Sequence, residues 1–167
     1  MNKIIICGCP ASGKTTLSRK LSEKLSIPVL HLDKIFWIQE GGIKQDVFIK
    51  HQEEMMLNEK WIIDGDFTKS RSFDIRLNNS DTIIYFDFSK ILIFYRLLKR
   101  RIQFHNKQRP EMGGDNIEKL NWKLIKFIWN YSSKEKLEKI LSYSDTKKVF
   151  IIKNLRDEKE FIKKYTN

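Results

Sequence analysis

Only two cysteines occur in 167 residues, Cys7 and Cys9. They stand two apart at the end of an apolar stretch, poorly placed to bridge each other, and no further ligands lie nearby for a metal or redox site. They read as small apolar fillers. Long apolar runs are missing too. The opening MNKIIICGCPASG turns polar too soon for a signal-peptide core or a membrane span, which points to the cytoplasm and away from a membrane partner. Internal repeats and low-complexity segments are lacking, so residues 1–167 read as a single domain with one sizeable core.

Arginine is scarce among the cations. Lysine and arginine total 32 against 21 acids, a net charge of +11, yet only eight of the 32 are arginine. Six of those eight lie between 71 and 109: Arg71, Arg76, Arg96, Arg100, Arg101 and Arg109. No acid occurs from Ile91 to Pro110. Arginine's planar fork suits bidentate contact with phosphate oxygens, whereas lysine acts as a point charge. Generic lysine with placed arginine favours a discrete phosphate site over a diffuse nucleic-acid surface. No DNA-reading motif is recognisable; a nucleic-acid partner stays open but disfavoured.

Short β-rich runs alternate with helical patterns. Ile4-Ile5-Ile6, Pro28–Leu32, Trp61–Ile63, Thr82–Phe86 and Lys148–Ile152 read as strands. Helices are expected over 14–26, over 46–58 with Asp46 as N-cap, and from Ser89 to about Gln103, with a short helix or turn over 70–79. A further one runs from an Asp115/Glu118 capping box to about Tyr131, and a short one starts near Asp157. Such alternation means an α/β fold with a mostly parallel sheet covered on both faces, and ligands bind beyond the carboxyl ends of its strands. Gly8, Asp33 and Asp64 are expected at the ends of strands one to three.

GCPASGKTT, residues 8–16, spells a phosphate-binding loop between a strand and a helix. Gly8, Cys9, Pro10, Ala11, Ser12, Gly13, Lys14, Thr15 and Thr16 would form the ATP site, with backbone N–H groups within residues 8–15 cradling the phosphates. Lys14 would reach the β- and γ-phosphates, and the Thr15 hydroxyl, opposite Asp64 of WIIDGD, would set Mg²⁺. Asp33 of HLDK could orient or deprotonate an acceptor hydroxyl. His31 reads as a core or supporting residue. Phe36 and Trp37 could wall an acceptor pocket or fill the core. Arg96 and Arg100, one turn apart, together with Arg109, would neutralise charge on a transferring phosphoryl group. The stretch from about 102 to 116, with Gly113-Gly114 as hinge, suits a lid.

These motifs resemble the nucleoside-monophosphate kinase group of P-loop proteins: GCPASGKTT is similar to the adenylate-kinase loop, WIIDGD to its third-strand segment, and RLLKRR to the start of its lid. Asp33 stands where shikimate-kinase-like enzymes keep an acid. GCPASGKTT, HLDKIFW, WIIDGDF, RLLKRR and LNWKLIKFIWNY together resemble the bacterial topology modulation proteins (FlaR-related). The resemblance implies a three-layer α/β/α P-loop fold with five parallel strands in the order 2-3-1-4-5, an acceptor-binding segment over about 34–58, and a small-molecule kinase using ATP and Mg²⁺. The topology label implies the alternative, an ATP-dependent DNA-binding regulator. Ala11 stands where the adenylate-kinase loop has glycine, and Thr15-Thr16 where it has glycine-threonine. The arginine that follows its D-G-F-P is absent, with Arg71 or Arg76 as substitutes, so AMP is not implied as acceptor.

Overall fold

The computed structural model describes residues 1–38, 42–68, 70–103 and 122–166. In chain order the elements are β1 (Lys3–Gly8), α1 (Lys14–Leu25), β2 (Val29–His31), α2 (Leu32–Phe36), α3 (Gln45–Met56), β3 (Trp61–Asp64) and α4 (Arg71–Asn79). β4 (Thr82–Phe86), α5 (Lys90–Gln103), α6 (Trp122–Trp129), α7 (Lys134–Leu141), β5 (Lys148–Ile152) and α8 (Leu155–Thr166) follow. The five strands form one parallel sheet in the order β2-β3-β1-β4-β5.

β1 lies at the centre, and its run of apolar side chains is explained by burial on both faces. Ile4 and Ile6 pack with Leu17 and Leu21 of α1, Ile93 and Leu97 of α5, Ile128 of α6 and Phe161 of α8. Ile5 and Cys7 pack on the opposite face with Leu32 and Ile35 of α2, Phe48 of α3, Phe73 and Leu77 of α4, and Ile140 of α7. The sheet is thus the middle of three layers. Cys7 and Cys9 fall into different cores and both are free thiols. None of the described helices is long and apolar enough to cross a membrane.

Three local expectations change. β2 stops at His31, and Asp33 sits in the first turn of α2 instead of ending the strand. Fully buried Leu32 lies so close to Gly65 that a Cβ there would come within 2.6 Å of it. The chain turns at that contact, and an acid in a helix's first turn complements its dipole. Asp46 lies in the first turn of α3, with Lys44 as the capping residue. α7 was not anticipated: its only fully buried residue is Ile140, too weak an apolar pattern to announce a helix by itself. Ser89 does cap α5, its Oγ accepting from the Leu92 amide at 3.4 Å. Arg109, Gly113-Gly114, the Asp115/Glu118 box and all of the expected lid beyond Gln103 lie outside the described residues.

Candidate active site

The loop opens where β1 ends between β3 and β4. Gly8 has φ 137°, and a Cβ on it would lie 2.5 Å from the Phe86 carbonyl oxygen, so the strand end passes too close to β4 for any side chain. Gly13 caps α1 at φ 99°. No side chain caps that helix, and its first turn carries no acid, so its amides and positive end are left for an anion. Ala11 takes φ 63°, a left-handed conformation in which its methyl is strained. Here the departure from glycine seen in the sequence has a structural cost.

Lys14 is buried, and its ammonium donates to the Cys9 carbonyl at 2.9 Å, folding the side chain back over the loop. Thr15 is half-buried and Thr16 exposed. The Ser12 hydroxyl is buried without a protein partner. Desolvation pushes the Cys9 thiol up to about 11 and the Cys7 thiol to about 12, so neither is a thiolate at neutral pH.

Asp64 pairs in register with Ile6 of β1 and His31 of β2. Its Oδ2 accepts from the Ser18 hydroxyl at 3.3 Å and meets His31 Nδ1 at 2.9 Å. Its Oδ1 is buried with no hydrogen-bond partner. A buried carboxylate oxygen left orphaned is costly unless a cation or its water completes it. No group of three or more His, Cys, Asp or Glu that could cage a metal exists among the described residues.

Arg96 of α5 reaches the loop from the β4 flank. Its guanidinium donates to the Ser12 carbonyl and to the Glu158 carboxylate of α8, and lies 4.7 Å above the Phe88 ring. Arg100 follows one turn later, half-buried. Asp33 is exposed on α2, two residues beyond the His31–Asp64 pair.

Sequence reasoning passed over Asp66. Its Oδ1 accepts from the Gly8 amide at 3.3 Å and from the Tyr131 hydroxyl at 2.8 Å, while its Oδ2 pairs with Lys136 of α7 at 3.1 Å. Lys136 also stands 3.6 Å from the Tyr131 ring centroid. Burial raises the Tyr131 phenol well above its ordinary value, and the Asp66 charge adds to the effect. The second acid of D-G-D was the available signal; its partners, 65 and 70 residues away, were not. Arg76 does not replace the missing arginine. It is fully buried and donates to the carbonyls of Gly65, Asp66, Phe67 and Ser72. Burial lowers its guanidinium to about 10, so it remains charged at neutral pH.

Solved structures of small-molecule kinases superpose over almost the whole chain. A gluconokinase from Sinorhizobium meliloti 1021 matches with a TM-score of 0.61 at 11% identity, covering 99% of this chain and 89% of its own. Shikimate kinase from Acinetobacter baumannii, in complex with shikimate, matches at 0.58 and 15%, covering 98% and 90%. Shikimate kinase from Bacteroides thetaiotaomicron matches at 0.55 and 18%, covering 96% and 94%. This is a P-loop kinase fold. In sequence, adenylate kinases of Mycobacterium leprae strains Br4923 and TN are each 31% identical over 81 residues, 48% of this chain. The match spans 42% of their length. A family model described as chromatin associated protein KTI12 matches residues 1–72. Both similarities are partial; what runs the length of the chain is the kinase fold.

Proposed function

We propose that this protein is a cytoplasmic phosphotransferase that moves the γ-phosphoryl group of ATP to a small-molecule acceptor. One observation carries the reading: α1, whose uncapped N-terminus carries buried Lys14, bonds through Ser18 to Asp64, whose Oδ1 lacks a partner. A phosphate cradle next to a cation position is what phosphoryl transfer needs. Loop amides between Cys9 and Thr16 hold the phosphates, the Gly8 amide being held by Asp66 and Pro10 having none, and Lys14 exchanges the Cys9 carbonyl for phosphate oxygens. Thr15 and Asp64 would hold Mg²⁺, which neutralises charge on the triphosphate when bound. Asp33 orients the acceptor hydroxyl and takes its proton as the oxygen bonds to the γ-phosphorus and the bond to the β–γ bridging oxygen breaks, releasing ADP. Arg96 holds the loop from the β4 flank, and Arg100 and Arg109 are proposed to meet developing charge.

A coupled ADP-release assay across nucleosides, nucleoside monophosphates and hydroxyl metabolites, with Lys14→Ala as blank, tests this. Acceptor-dependent release that vanishes in the blank supports the kinase. The rival, an ATP-dependent DNA-binding regulator acting on topology, draws on the +11 charge and the KTI12 match. It predicts tight duplex binding that falls steeply with salt and responds to ATP; weak, ATP-insensitive binding would leave the kinase.

A further inference from the structure

On the β3 flank of the loop lies a cavity of about 410 Å³, walled by Phe36, Ile43, Gln45, Phe48, Phe67 and Ser70. Its volume falls within the roughly 300–1,000 Å³ of small-molecule sites. Three phenyl rings cluster there: Phe67 lies 5.0 Å from Phe36 and 4.8 Å from Phe48, centroid to centroid, at tilted angles. Phe36 and Phe67 are half-buried, so their rings are not wholly spent on the core.

The placing of Phe67 is the telling feature. Its φ is 31°, a left-handed conformation that a bulky residue adopts only under constraint. Its carbonyl is held by the Ser70 hydroxyl at 2.7 Å, the Ser70 amide at 3.2 Å and the Arg76 guanidinium at 3.3 Å. A buried cation and a serine thus pin a strained turn that aims a phenyl ring at the cavity. The neighbouring Asp66 touches the loop through the Gly8 amide, and Phe36 shares α2 with Asp33 at i, i+3. Two lining residues, Phe67 and Phe36, thus adjoin in sequence or in helix the residues that touch the phosphate cradle and the proposed proton acceptor.

Its chemistry is selective. None of the described lining residues is charged. Of the cations around it, Arg76 is committed to four carbonyls and Lys136 to Asp66, while Arg71 is exposed and is not among the lining residues. A polyol or sugar acid would bury hydroxyls and charge with only Ser70 and Gln45 to answer them, which costs binding. A flat ring instead gains edge and face contacts from the phenyl cluster.

Building on the kinase reading, we propose that this cavity selects an acceptor with a flat, uncharged ring and a hydroxyl, a nucleoside or aromatic alcohol, in preference to a monophosphate or a sugar acid. The ring rests against Phe36 and Phe67. The acceptor hydroxyl oxygen bonds to the γ-phosphorus of ATP, its proton passes to Asp33, and ADP leaves.

The test measures binding to the full chain loaded with Mg-ADP, by ligand-observed NMR and calorimetry, and turnover with Mg-ATP by ADP release. Probes are adenosine, thymidine and benzyl alcohol against AMP, thymidine monophosphate, shikimate and gluconate. At least one neutral ring probe is expected to bind tenfold or more tighter than the charged probes. Phe67→Leu and Phe36→Leu should each weaken it at least fivefold, through KM more than kcat, with the affinity for ATP unchanged as the check on folding. Ser70→Ala, a gentler change, should show a smaller loss in the same direction. Tighter binding of a monophosphate, lost in Arg71→Ala, would overturn the inference, as would binding of no neutral ring probe or indifference to all three variants. If a neutral ring binds as described but no probe yields ADP, the cavity stands and the kinase reading falls. If only charged acceptors yield ADP, the kinase stands and the cavity inference falls.

Discussion

The two flanks of the phosphate loop are built from opposite materials. On the β3 flank stand Asp64, Asp66 and the phenyl cluster; the carboxylates there are buried or bridged, and Asp64 keeps one oxygen unanswered. On the β4 flank Arg96 lies against the loop, and a cavity of about 420 Å³ has Lys90 and Lys153 in its wall beside Asp87. Under the proposed kinase reading, the division lets one loop serve two ligands: the cationic flank would favour a polyanion, and the other a cation, a proton and an apolar ring. Lys14 lies between them, tied to the loop itself.

The largest expected effect removes what both flanks share. Lys14→Ala should cut phosphotransfer by at least about 100-fold, the scale for losing one positioned charge stabiliser; steady-state ADP release reads it. Asp33→Asn should break the β3 flank alone: transfer falls about 10²–10⁴-fold while Mg-ATP affinity, measured by calorimetry, is retained. Stability comes next. Asp66→Asn strips the Lys136 pair and weakens the contacts to Gly8 and Tyr131, and chemical denaturation should show a loss of about 2–3 kcal/mol. Glu158→Gln on the other flank leaves Arg96 its bond to Ser12 and should cost less, about 1–2 kcal/mol. Equal losses would dissolve the contrast.

Alkali should weaken the fold by a route common to both sheet faces. The Cys7 and Cys9 thiols rise from 9.0 to about 12 and about 11 in the native state. The native chain therefore holds protons that the unfolded chain releases. This contribution is intact below pH 9 and lost as pH climbs from 9 towards 11 and 12. Cys7→Ala should flatten that part of the stability profile, seen as a smaller drop in melting temperature between pH 8 and 10. The smallest effect is a gain: Ala11→Gly relieves the left-handed alanine and should add about 0.5–1 kcal/mol.

The fold was readable because its signals are local. Strand, loop and helix follow one another within Lys3–Leu25, and each further strand announces itself as a short apolar run, so the parallel sheet followed from alternation. The loop was readable because glycine and lysine spacing encodes backbone geometry directly. The site's second layer was hidden because it depends on pairs distant in sequence: Gly8 with Asp66, Asp66 with Tyr131 and Lys136, Arg96 with Glu158. Arg76 shows the limit sharply. Its residue type suggested a phosphate ligand, whereas burial turned its donors onto the carbonyls of the 65–67 turn. His31 likewise revealed its partner only when β2 and β3 came into register.

The bonds that close Asp66 and Arg96 have a bearing on how the chain is made. Tyr131, Lys136 and Glu158 reach the site from the last quarter of the sequence. A nascent chain that has just delivered β4 to the ribosome exit already contains the phosphate loop and Asp66, yet lacks Arg96, the Tyr131 and Lys136 that hold Asp66, and the Glu158 that pairs with Arg96. Nucleotide grip should thus mature late in translation, and stalled chains released after α5 should retain ATP far less well than finished ones.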